Sequence, residues 1–253
     1  MKKVWKVTID AISQTLYVCY ADGTTETVEL YGHAAFQHLS SLWLKTGWAL
    51  KYSYNFSWLG RPIIQLPEDL LMVQEVIWRV QPEVIVETGV AHGGSSVFYA
   101  SMLELLGRGR VISIDVEIRP HNRSALDEHP LRKRITLIEG SSTASETVDK
   151  VRSLIKPDEK VMVMLDSDHR KDHVLKELEL YAPLVSPGSY MVVADGVMTE
   201  LSDVLGAKPS FASDNPKVAV HEFLRQHAEF EIDSEPTRLG NTYWSDGYLR
   251  RIP

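Results

Sequence analysis

Acidic residues recur in this chain directly after short apolar runs, and their neighbours are small or hydroxylated. Glu87-Thr88-Gly89-Val90-Ala91-His92-Gly93-Gly94-Ser95-Ser96 follows Val84-Ile85-Val86, Asp115 follows residues 111–114, and Glu139-Gly140-Ser141-Ser142 follows residues 135–138. Further on, Asp166-Ser167-Asp168-His169 follows residues 161–165, and Asp195-Gly196 follows Ala194 and residues 190–193. The first segment joins an acid to small residues that let backbone approach a ligand and to a helix start. It lacks the lysine of a phosphate loop, and Gly89, Gly93 and Gly94 do not form the Gly-x-Gly-x-x-Gly dinucleotide fingerprint. An acid at this point repels pyrophosphate and suits an amine.

S-adenosylmethionine (AdoMet) carries such an amine together with a sulfonium and a ribose diol. Asp115 stands where a carboxylate accepts two ribose hydroxyls, and Ser141 and Ser142 are placed to meet an adenine edge. Taken singly, Glu87 or Asp115 reads equally well as a helix cap or a solvated turn; it is the ordered set that points to a cofactor. Asp166, Asp168 and Asp195 offer hard oxygen donors from two strand ends, which suits Mg2+ completed by water and substrate oxygens. Such an ion lowers the pKa of a bound hydroxyl, and His169 is the candidate to take its proton. An Asp-Ser-Asp-His turn also serves simply to start a helix. His33, His92, His121 and His173 read as structural or surface residues.

These positions need strands to hold them. From residue 84 onward, apolar runs of three to five residues alternate with helix-like segments, which calls for a parallel sheet covered on both faces. The expected fold is α/β, a doubly wound, mainly parallel, Rossmann-like sheet, with ligands outside the carboxyl ends of the strands. Ahead of it, the runs 16–20 and 25–30 flank Ala21-Asp22-Gly23-Thr24 and read as a β-hairpin. An aromatic-rich stretch at 34–58 and an amphipathic helix at 68–80 follow, the latter stopped by Gln81-Pro82. The aromatics read as packing of an extension, as a substrate mouth, or as an oligomer contact. Residues 1–58 are thus expected to be an N-terminal extension and 59–253 the main domain. The long segment 199–215 is a candidate lid.

Composition narrows the class. Among 253 residues, 44% are hydrophobic and 24% charged, and 27 Lys and Arg against 34 Asp and Glu leave a formal charge of −7. The basic residues are dispersed, so a nucleic-acid partner is not expected. No apolar run approaches the ~20 residues that span a bilayer. Lys6, Asp10, Ser13 and Gln14 interrupt any leader after Met1-Lys2-Lys3, and the single Cys19 allows no intrachain disulfide. A cytoplasmic location is expected.

Residues 58–69, 87–95, Asp115 with residues 119–123, and residues 165–169 together resemble the cephalosporin hydroxylase family, also known as rhamnosyl O-methyltransferases. The resemblance covers roughly residues 56–250 and leaves the hairpin outside. It implies a class I AdoMet-dependent methyltransferase fold and O-methylation of a hydroxyl on a sugar or natural product. By the same resemblance, Glu87, Gly89, Gly93 and Ser95, with Ala91 in the same loop, would hold the methionine part. Asp115 would hold the ribose, Ser142 would lie near adenine, and Gln65 would approach from the N-terminal side. Asp166 also belongs to the cofactor and catalytic set, and with Asp195 it matches metal-ligand positions. The family places a further acid or amide beside the second aspartate, where this chain has Ala194 and Gly196. Asp168 or water would then replace it, or the site is metal-free. A small hydroxylated acceptor and a homo-oligomer are expected. A nicotinamide-dependent oxidoreductase and a non-catalytic cofactor-binding protein remain as alternatives at this level.

Overall fold

Alternating residues near the N-terminus build a three-stranded antiparallel sheet, β1 (Val4–Asp10), β2 (Thr15–Tyr20) and β3 (Thr25–Glu29), in the computed structural model, which describes residues 2–253. The expected hairpin is β2–β3, with Cys19 opposite Thr25, and β1 extends it by one strand. Leu16 and Val18 are fully buried with Ala35 of α1 (His33–Ala49). The chain divides between Thr46 and Gly47 into two compact units, earlier than the boundary expected after residue 58. The shift has a packing reason within the second unit. β4 (Phe56–Trp58) and β5 (Arg61–Ile63) pair with each other and lie on α3 (Gly94–Leu105). Trp58 Nε1 donates to Ser101 Oγ at 3.0 Å, and its ring meets Phe98 edge-on at 4.9 Å.

The second unit is built on a seven-stranded sheet ordered β11-β12-β10-β9-β6-β7-β8. Its parallel core is β6 (Val84–Thr88), β7 (Arg110–Asp115), β8 (Ile135–Glu139), β9 (Val161–Leu165) and β10 (Tyr190–Val193). β11 (Phe230–Ile232) and β12 (Tyr248–Arg251) add an antiparallel edge too short to announce itself by pattern. Every residue of β6, β9 and β10 is buried, which matches their uninterrupted apolar runs. One face packs Val86, Ile112, Val163 and Met191 against α5 (Ser145–Ser153), α6 (Lys171–Tyr181) and α8 (Pro216–Phe223). Side chains that alternate with these point the other way, where α2 (Pro67–Val80) and α3 bury their apolar stripes. The remaining helices, α4 (Pro120–Asp127) and α7 (Met198–Leu201), are short and lie in connections after β7 and β10. Among the described residues, no helix is long and apolar enough to cross a membrane.

From β6 the chain moves outward through β7 to β8 and then returns to the other side of β6 as β9. This reversal opens a crevice above the carboxyl ends of β6 and β9, the place where such sheets take ligands. The loop leaving β6 crosses that crevice closely. Gly89 has φ +92°, and a Cβ there would lie 2.0 Å from the Asp166 carbonyl oxygen. A second support is Asp69, in the first turn of α2 and 1% exposed. It accepts from Thr242 Oγ1 and, at 2.9 Å, from the Tyr243 amide, seating the segment before β12.

Two outcomes follow from these contacts. Gly89→Ala is expected to cost at least about 2 kcal/mol from overpacking and left-handed strain, read as a lower denaturant midpoint; a variant as stable as the parent would contradict the close crossing. Burial pushes the Asp69 carboxyl up to about 7 against its two donors. The folded chain therefore holds this proton more tightly than the unfolded chain. Its stabilisation is complete below about pH 4 and is lost as pH rises through 7. Asp69→Asn should flatten the fall in stability across that window, and parallel stability–pH curves for the two proteins would refute it.

Candidate active site

The crevice is assembled from five strand exits. Asp115, at the end of β7, accepts from the amides of Val90 at 2.8 Å and Ala91 at 3.1 Å, so its carboxylate fixes the loop after β6. Asn122 of α4 donates to the Ala91 carbonyl at 2.9 Å, and Arg61 of β5 donates to both the His92 carbonyl and Asn122. The residues that carry the family resemblance around positions 61 and 122 thus brace this loop.

Beneath it lies a cleft of about 50 Å³ lined by Gln65, Gly89, Ala91, Ser95 and Asp166, among others. Five of the expected cofactor residues meet there. Glu87 sits behind them, 1% exposed, with Oε2 accepting from Ser96 Oγ at 2.5 Å and Ser113 Oγ at 2.7 Å. Its Oε1 has no hydrogen-bond partner among the described residues, and neither does Oε1 of Gln65. Burial raises the Glu87 pKa against the hydroxyls around it. Gly93 precedes α3, packed so closely on Leu126 that a Cβ would lie 2.7 Å from it. Ser142 is buried at the far side, with Oγ 3.2 Å from His173 Nε2 and its carbonyl accepting from Tyr181. His173 in turn lies 3.4 Å from the buried Glu177, whose hydrogen bond raises the imidazole pKa.

The ends of β9 and β10 bring a second group together. Donor atoms of Asp166, His169 and Asp195 all lie within 4.8 Å of one another, with His169 Nε2 3.1 Å from Asp195 Oδ2. Gln65 Nε2 donates to Asp166 Oδ2 at 3.4 Å, which ties this group to the cleft. Burial, and then repulsion from Asp195, push Asp166 up to about 7. Burial works to lower the His169 pKa, but Asp195, Asp166 and Asp168 outweigh it and the net shift is upward.

Asp168, also expected as a donor, stands outside this three-residue cluster. It faces Arg170, with contacts of 3.0 and 2.6 Å, and that guanidinium holds its carboxyl down to about 2. Its place in the cluster is taken by His169, which the sequence cast only as a proton acceptor. Two oxygens and an imidazole nitrogen within that span suit a divalent cation. The neighbours of Asp195 contribute no further donor. Ala194 is buried, and a Cβ on Gly196 would meet the Ser245 carbonyl oxygen at 2.1 Å. Backbone therefore fills the space an acid or amide would need.

A cavity of about 500 Å³ opens on the other side of this cluster. His169, Asp195 and Ile64 form its inner wall, Trp48, Tyr54, Phe211 and Tyr243 supply aromatic surface, and Arg170 and Lys208 supply positive charge. The candidate lid forms one wall through Leu201, Lys208, Ser210, Phe211 and Asp214. It is anchored where Asp214 accepts from the Lys171 amide at 2.7 Å and Asn215 caps α8 through Val218 at 3.0 Å. The aromatic stretch divides its work, with Trp58 packed on α3 and Trp48 and Tyr54 on the cavity. Asp69 and Lys208 had no signal in the sequence that set them apart from ordinary helix-start and surface charges.

The sequence profile described as Rhamnosyl O-methyltransferase/CmcI matches residues 50–252. A rhamnosyl O-methyltransferase of Mycobacterium leprae (strain TN) is 29% identical over 199 residues, covering 77% of this chain and 82% of that protein. The protein of the same name in Mycobacterium tuberculosis (strain ATCC 25618 / H37Rv) is 33% identical over 130 residues, 50% of this chain and 51% of that one. A CmcI apo structure superposes with TM-score 0.57 at 19% identity, covering 82% of this chain and 84% of the other. CmcI with Mg and SAM gives 0.55 at 19% identity, covering 79% and 78%. These structures share the class I methyltransferase fold seen here. The chain belongs to the rhamnosyl O-methyltransferase/CmcI family and is an O-methyltransferase.

Proposed function

We propose that this protein transfers the methyl group of AdoMet to a hydroxyl of a sugar or sugar-bearing natural product, assisted by a divalent metal ion. The observation that carries the reading is the adjacency of two spaces across one cluster. The cleft under the loop after β6 and the aromatic cavity meet at Asp166, His169 and Asp195. The smaller space is read as the place of the donor's methyl-bearing end and the larger as the place of the acceptor, with the reacting oxygen between them. The names of the mycobacterial relatives support a sugar as acceptor.

The residues present fit the donor. Oε1 of Gln65, a residue lining the cleft, is a buried acceptor with no hydrogen-bond partner among the described residues, which is costly unless a ligand N–H reaches it. An ammonium group would satisfy it, and the Glu87 carboxylate nearby would add negative charge. Asp115 is pinned by two amides at the end of β7, pre-oriented for vicinal ribose hydroxyls. Ser142 lies toward the adenine end. The metal donors are Asp166 and Asp195, joined by His169.

Bound in these places, AdoMet would supply an electrophilic methyl on a sulfonium, and a divalent ion would stabilise negative charge on the acceptor oxygen. The reaction forms an O–CH3 bond, breaks an S–CH3 bond and releases one proton. Asp166 and Asp195 would favour the loss of that proton to solvent by holding the ion whose charge would stabilise the oxyanion. Trp48, Tyr54, Phe211 and Tyr243 offer ring faces to the C–H surface of a sugar and exclude water from the transfer. Aligning oxygen and methyl in one enclosed geometry accounts for much of the rate expected of such a site.

The test pairs turnover with binding. Rhamnosylated and related glycosyl acceptors should give S-adenosylhomocysteine and a methyl ether in equal amounts, and neither should form without acceptor. Asp115→Ala should weaken AdoMet binding by roughly 1.5–3 kcal/mol in calorimetry. Unchanged affinity in that variant would overturn the ribose assignment, and preferential binding of NAD over AdoMet would overturn the methyl-donor reading.

A further inference from the structure

We infer that His169 is a metal ligand through Nε2, replacing the acid or amide that this chain lacks beside Asp195. The inference rests on the metal reading above and goes beyond it by assigning the third ligand and its consequence for ion choice. Three observations carry it. The donor atoms of Asp166, His169 and Asp195 lie within 4.8 Å of one another, a span that one ion can bridge. Both residues flanking Asp195 are unable to contribute, Ala194 for want of a donor and Gly196 because the Ser245 carbonyl occupies the position of any side chain, 2.1 Å from a Cβ. Asp168, the other acid on the turn after β9, is bound to Arg170.

The imidazole nitrogen is therefore the third protein donor available at this point. It approaches from the side of the acceptor cavity, which His169 and Asp195 both line. A nitrogen lone pair given to a metal is no longer free to accept the acceptor's proton, so the assignment moves His169 from proton acceptor to ligand. It also changes selectivity. An all-oxygen set suits a hard ion such as Mg2+, whereas exchanging one oxygen for imidazole improves the relative affinity for Mn2+, Fe2+ and Co2+. Three sites remain on a six-coordinate ion for water and the acceptor hydroxyl.

The experiment uses the full chain freed of metal. Mn2+ is added and its surroundings are read by pulsed electron paramagnetic resonance, while Co2+ and Mg2+ affinities are measured by calorimetry. The parent protein should show an imidazole nitrogen coupled to Mn2+. His169→Gln should lose that coupling and weaken Co2+ binding by roughly tenfold or more. His169→Asp, which restores three oxygens, should lose the nitrogen signal and lower the Co2+ to Mg2+ affinity ratio by roughly tenfold. Asp168→Asn, whose parent carboxylate faces Arg170, should keep the signal. Circular dichroism establishes that each variant is folded. Bound Mn2+ without nitrogen coupling, or Co2+ affinity unchanged in His169→Gln, would overturn this assignment and leave the metal reading standing. Failure of all three ions to bind at millimolar concentration would overturn both.

Discussion

The site depends on one close backbone crossing, where the loop leaving β6 passes over the exit of β9. No side chain fits at Gly89, because the Asp166 carbonyl lies where its Cβ would be. That contact sets the depth of the crevice at the reversal of strand order, and with it the separation between the donor cleft and the carboxylates at the ends of β9 and β10. Asp115, Asn122 and Arg61 then clamp the loop from three elements. A loop held at both its amides and its carbonyls is a rigid surface, and rigidity at this point is what a transfer between two bound molecules needs.

Electrostatics gives the crevice its polarity. Two carboxylates, Glu87 and Asp69, are almost wholly buried at this end of the sheet and a third, Asp166, is half-buried, and each has its pKa raised first by desolvation. The partners offered to them are hydroxyls, amides, one amide side chain and His169, and among the described residues no lysine or arginine pairs with Asp166 or Asp195. Buried acids without strong cationic partners are expensive to keep ionised. A sulfonium-bearing ammonium ligand and a divalent ion are the kinds of charge that relieve that cost, so this imbalance favours cationic ligands in the crevice.

The segment from Asn241 to Asp246 has a structural role with chemical consequences. Asp69 seats its Thr242 and Tyr243, the Tyr243 carbonyl accepts from Val197 at 3.0 Å, and Ser245 closes over Gly196. The chain thereby brings an aromatic ring to the larger cavity and backbone against Gly196, beside Asp195. The Tyr243 hydroxyl is buried without a partner among the described residues, and burial followed by Asp195 and Asp69 pushes it up to about 12, so it stays protonated. One segment thus shapes both the surroundings of Asp195 and the aromatic wall of the cavity.

The sequence alone settled what depends on short-range periodicity and on strand-end position. Apolar runs buried on both faces read as parallel strands, and ligands at their carboxyl ends follow from that topology, so Gly89, Ala91, Ser95 and Asp166 could be placed at strand exits, and Gln65 added by the family resemblance, before all five were seen to share one cleft. The third strand of the N-terminal sheet and the β11–β12 edge were not legible, being brief or weakly patterned, nor was the placement of the boundary between Thr46 and Gly47. What only the tertiary structure decided was which neighbour of Asp166 joins Asp195. Asp168 and His169 are adjacent in the chain, but the turn after β9 aims one at Arg170 and the other at the cluster. Spacing in the sequence names the candidates on a turn; the direction each side chain takes depends on what distant segments pack around it.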